Sequence, residues 1–123
     1  MSQRLFGLRG AVSVEANETD LILAATEELM RELIERNSLV PEEVVSCIFT
    51  ATNDLDAEFP AVAARRLGFA RVPLLCAREI DVPGSLPRVI RVLIHHYAGP
   101  DHVARHVYLG EARSLRADLE AAQ

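Results

Sequence analysis

The chain has 123 residues, half of them hydrophobic and a quarter charged, with a net charge of −5 at neutral pH. That profile fits one globular domain with a modest core, and the negative balance argues against nucleic acid as a general partner. Two cysteines are too few for a disulfide framework, no apolar run approaches the ~20 residues of a membrane span, and residues 1–16 lack the apolar stretch of a signal peptide, so a reduced cytoplasmic setting is expected.

Residues 4–15 alternate loosely between apolar and polar, which predicts a first strand, broken near Gly7 and Gly10 where a bulge or a close backbone approach fits. Arg9 stands between those glycines. From Thr19 or Asp20 the period changes: Leu21, Ile22, Ala25, Leu29, Met30, Leu33 and Ile34 recur at three- and four-residue steps. This predicts an amphipathic helix ending near Asn37 and Ser38, with Asn17 or Thr19 as its cap and its charges on a solvated face. Pro41 to Glu43 reads as a helical turn, and Val44 to Ala51 as a buried strand in which Cys47 is a small core residue.

Asn53 to Asp56 carries turn chemistry, and Phe59-Pro60 opens a short helix that runs to about Leu67 and is closed by Gly68. Arg65 and Arg66 lie on it. Val72 to Ile80 is the next strand, with Cys76 and Glu79 set in apolar sequence. A turn with two prolines and a glycine spans Asp81 to Pro87, and the strand from Leu86 to Ile94 places Val89, Arg91 and Leu93 on one face. Charges in such company are expensive unless paired, which makes Glu79 and Arg91 candidates for a ligand or a buried ion pair. His95 and His96 precede a loop, and Val103 to Leu109 is a last strand with Arg105 and Tyr108. The four histidines show no zinc spacing, so no metal is expected.

The predicted order β, α, β, α, β, β, β supports one mixed sheet with helices on one face, an α/β (α+β) fold for residues 1–123 as a single domain. No nucleophile with a base, no phosphate loop and no metal constellation stands out. Arginines, one carboxylate, a thiol and a phenol remain, a set suited to holding a small polyanion without covalent chemistry.

Several motifs go further. Gly7-Leu8-Arg9-Gly10-Ala11, Phe59-Pro60-Ala61, Val72 to Glu79, Ile90-Arg91-Val92, Arg105 to Leu109 and the tail Leu115-Arg116-Ala117-Asp118-Leu119 resemble, in order, the trimeric α/β class of chorismate mutase. The resemblance spans nearly the whole chain. It implies a homotrimeric pseudo-α/β-barrel with active sites between subunits, no cofactor, and the intramolecular rearrangement of chorismate to prephenate in phenylalanine and tyrosine biosynthesis. It also implies roles. Arg91 would donate to the ether oxygen, Arg9 and Tyr108 would hold carboxylates, and Glu79 would accept from the ring hydroxyl with Cys76 beside it. Phe59, Ala61, Leu74 and Leu115 would line the apolar part, and Arg65 and Arg116 would stand at the rim across a subunit boundary. Val62, Leu75 and Ala117 depart from residues that relatives can carry, a lysine, a threonine and a proline; at Leu75 a backbone contact with substrate survives the change. An imine deaminase of the RidA-like kind, or a non-catalytic metabolite-binding trimer, is the alternative.

Overall fold

The structure, a computed structural model, describes residues 2–115; Arg116 to Leu119 of the expected tail motif lie outside the described residues. The chain begins with strand β1 (Arg4–Ser13) and helix α1 (Thr19–Asn37), followed by a 3-10 turn at Pro41–Glu43 and strand β2 (Val44–Ala51). Helix α2 is regular over Ala61–Ala64 and widens over Arg65–Phe69, where Gly68 ends it with φ of +98°. Strands β3 (Leu74–Arg78), β4 (Val89–Ala98) and β5 (Val107–Leu109) follow. The elements come in the expected order.

One mixed sheet results, ordered β3-β2-β4-β1-β5. β4 lies at its centre, antiparallel to β1 and to β2, while β5 joins β1 and β3 joins β2 in parallel. The two-residue period sends Leu8, Val12, Phe49, Ile90, Val92 and Ile94 into one core with Ile22, Leu29, Met30 and Leu33 of α1 and Ala61 and Ala64 of α2. Both helices therefore cover the same face. Burying side chains of this size contributes about 1.5–3 kcal/mol each, so the apolar stripe of α1 outweighs its exposed Glu27–Arg31 and Glu32–Arg36 pairs, which give a few tenths. Cys47 belongs to that core, and burial pushes its thiol pKa up to about 12.

Several boundaries differ from the sequence reading, each for a local reason. β1 runs unbroken past Gly7 and Gly10 in continuous register with β4. Gly10 instead marks a close approach: a Cβ there would stand 2.8 Å from Leu33 Cδ1 and 3.0 Å from Leu29 Cδ1. Neither Asn17 nor Thr19 caps α1; Asn17 holds the backbone N–H groups of Asp56 and Ala57, and the Thr19 hydroxyl donates to Ala57. β4 starts only at Val89, because Arg88 sits in left-handed conformation with its N–H on the Asp54 carboxylate at 3.0–3.1 Å. It also continues to Ala98, so His95 and His96 are strand residues rather than the entry to a loop. β5 is shorter than expected, since the buried Asn37 side chain takes both the N–H and the carbonyl of Arg105.

Replacing Gly10 by valine should cost about 1–3 kcal/mol through overpacking beneath α1. Urea unfolding reads this directly, and a midpoint equal to the parent's would contradict the close approach.

Candidate active site

Every second sheet residue points away from the helices. The register aligns Ala77, Thr50, Arg91, Ala11 and Tyr108 in one row across all five strands. A second row holds Leu75, Ile48, Leu93 and Arg9. Between these rows lies a cavity of about 250 Å³ that Arg9, Thr50, Arg91, Leu93 and Tyr108 help to line. At one end this face is closed by a small cluster of Ala11, Val89 and Ala112, against which Tyr108 and Leu115 pack. The remainder is open.

Glu79 was expected inside an apolar strand, but β3 stops at Arg78 and Glu79 is the first residue beyond it. Its backbone N–H still bonds to the Ala51 carbonyl at 3.0 Å, so its position is set by the sheet. The carboxylate reaches Arg91, Nε to Oε2 at 3.0 Å, and the same Oε2 accepts the Thr50 hydroxyl at 2.5 Å. The Arg91 side chain is 45 % exposed and that of Glu79 15 %. A pair this open stabilises a fold by about 1 kcal/mol at most. Arg91 therefore stands on the open face, with Nε its one side-chain donor engaged among the described residues, less enclosed than its apolar strand neighbours predict.

Arg9 lies beside Arg91 on the next strand, and its backbone N–H donates to His106 Nδ1 at 3.0 Å. Loss of solvent, then the positive charge of Arg9, push the His106 pKa below its ordinary value. Two cations and a phenol face one open cavity with a carboxylate at its edge, a set suited to holding a small, multiply anionic molecule. The group can orient and polarise such a molecule and stabilise negative charge on it.

Other residues singled out in the sequence lie elsewhere in this chain. Phe59 and Cys76 line a separate cavity of about 420 Å³ at the β3 edge, together with Asp56, Glu58 and Arg78. Ala61 is buried in the core, and Leu74 packs against it. Leu75 is exposed on the open face, and Arg65 is exposed at the start of the widened turn. Arg116 is outside the described residues. Among the described residues, no three His, Cys, Asp or Glu side chains gather where they could hold a metal ion. Thr50 and Ile48 are not among the residues singled out in the sequence, and Leu93 is named there only as sharing the Arg91 face. The signal for Thr50 was present: with Ser46 it is one of two hydroxyl residues at alternate positions of a mostly apolar strand, two residues past Ile48.

The description "Chorismate mutase type I" matches residues 5–119. A chorismate mutase AroH of Thermus thermophilus is 53 % identical over 119 residues, covering 95 % of this chain and 98 % of that protein. One from Bacillus subtilis (strain 168) is 44 % identical over 115 residues, covering 92 % and 91 %. A solved chorismate mutase structure from Clostridium thermocellum superposes with a TM-score of 0.83 at 45 % identity, over 89 % of this chain and 98 % of that one. The chain belongs to the chorismate mutase type I family. Its function is accordingly that of a chorismate mutase, an isomerase.

The His106 contact carries a pH dependence. Its lowered pKa means the unfolded chain takes up the proton more readily, so the contribution to stability is full above about pH 6.5 and is lost as pH falls through the folded-state value. Urea stability should therefore decline below that pH, and less steeply in His106→Asn. His96, lowered by burial and by His102, retains part of the slope. Identical acid slopes in parent and variant would contradict this reading.

Proposed function

We propose that the open face of the sheet holds chorismate in its compact reactive conformer and rearranges it to prephenate, in a cleft completed by a neighbouring chain of a homotrimer. The observation that carries the placement is the single row holding Thr50, Arg91 and Tyr108, with Glu79 on Arg91 and Arg9 alongside. Chorismate is a dicarboxylate with a ring hydroxyl, which matches two arginines, a phenol and a carboxylate acceptor. Arg9 and Tyr108 hold carboxylates, and Glu79 takes the hydroxyl. Arg91 donates to the ether oxygen, where negative charge grows as the C–O bond breaks. Bond making and breaking occur within the substrate, so no side chain is altered covalently. Rate comes from restraint of the conformer and from charge stabilisation.

The neighbouring chain is supported by what one chain leaves apart. Phe59 and Cys76 share the edge cavity, while Arg9, Arg91 and Tyr108 share the open face. Leu5, Leu75 and Tyr97 are large apolar residues exposed on that same open face, which fits a surface covered by another subunit. Phe59 and Arg65, both exposed, then belong to the wall brought by the neighbour, with the buried Ala61 and the core-packed Leu74 beneath it. The family's pathway role, towards phenylalanine and tyrosine, is part of the same proposal. Among the described residues no helix is long and apolar enough to cross a membrane.

Purified protein should consume chorismate, followed by its ultraviolet loss, with prephenate identified as product. A folded protein without turnover would contradict the proposal. Arg91→Gln should lower kcat by about 10²–10³ while leaving KM comparatively unchanged, since its contact strengthens only in the transition state. A change confined to KM would remove Arg91 from the charge-stabilising role.

A further inference from the structure

We propose that Thr50 is the positioning residue of the reaction, holding Glu79 in place while Arg91 is engaged by substrate. The inference rests on the role of Glu79 given above. Among the described residues Glu79 has two side-chain contacts, the Thr50 hydroxyl at 2.5 Å and Arg91 Nε at 3.0 Å. Both fall on Oε2, and among the described residues no donor meets Oε1. The carboxylate is thus held by one oxygen and presents the other.

The two contacts differ in what competes for them. Arg91 is half exposed on the face that receives the anion, and a substrate carboxylate or a developing oxyanion draws on the same guanidinium. Thr50 has one hydroxyl proton, and it goes to Glu79. Its backbone is fixed at the sheet interior, opposite Arg91 on one side and Ala77 on the other. Glu79 itself stands just past the end of β3, where its backbone keeps one bond, to Ala51. A glutamate carboxylate at a strand end, once its arginine is shared, rotates freely unless another donor holds it. Thr50 is that donor. It keeps Oε1 aimed at the substrate hydroxyl.

Four variants, Thr50→Val, Thr50→Ser, Glu79→Gln and Thr50→Val/Glu79→Gln, are assayed for chorismate turnover in the full chain, with urea unfolding to verify the fold. Thr50→Val keeps the shape and β-branching and removes the hydroxyl. It should lose about tenfold in kcat/KM, the scale of one hydrogen bond to a charged acceptor. Thr50→Ser should recover most of that loss, and the double variant should be no worse than Glu79→Gln alone. If Thr50→Val matches the parent while Glu79→Gln is impaired, Glu79 keeps its role and the Thr50 inference is overturned. If Glu79→Gln matches the parent, the Glu79 reading itself fails and takes this inference with it. Equal losses in Thr50→Val and Thr50→Ser, or a full additional loss in the double variant, assign Thr50 a packing role and overturn the inference. Should Thr50→Val not fold, Thr50→Ala takes its place with the same outcomes.

Discussion

Opposite charges meet on the exposed side of a sheet whose other side is oily, and the rest of the site depends on that meeting. Arg91 sits on the central strand, so its neighbours are dictated from both directions: Ala11 from β1 and Thr50 from β2. Glu79 arrives from the edge strand's end and is anchored to the same place by Thr50. A central strand is the stiffest place a sheet offers, since both its edges are paired. An arginine there cannot drift with a loop, which is what a reaction that relies on orientation requires.

The helices make this possible by being on one side only. The stripe on α1 and the small residues of α2 absorb the apolar half of every strand, leaving the alternate half free to carry polar groups. Gly10 shows how tightly that balance is drawn, because α1 presses on the backbone of β1 next to Arg9. The turn before β4 is fixed in turn by Asp54, which accepts the Arg88 N–H and the Thr52 hydroxyl. Glu79 and Arg91 flank that turn in the sequence and end up in contact across it.

Much of this was legible beforehand. Periodicity located the first strand, α1 and the strand through Arg91, β-branched composition located β2, and Pro60 and Gly68 bracketed α2; the face shared by Val89, Arg91 and Leu93 is as expected because alternation survives small errors in strand ends. Boundaries were less legible where side chains override propensity. Asn37 takes the backbone of Arg105 out of β5, and Asp54 holds Arg88 out of β4, both through contacts distant in sequence. Glu79 was singled out for being a charge inside a strand, and it is in fact a charge at a strand's end. Thr50 went unnoticed because a threonine is ordinary in a strand, and its importance comes from register alone. The division of the site residues between two cavities could not be read at all, since it depends on which face and which edge each residue reaches.

In the proposed trimer, Arg91 and Arg65 would serve one site from different chains. Mixing an Arg91→Gln protein with an Arg65→Ala protein, each poorly active alone and distinguishably tagged, tests it most directly. Mixed oligomers would contain sites with Arg91 from one chain and Arg65 from the other, both intact, so turnover of chorismate should rise well above that of either parent. Mixed oligomers that form, as the tags report, yet show no recovered turnover would mean that each chain carries its whole site, and would contradict the account.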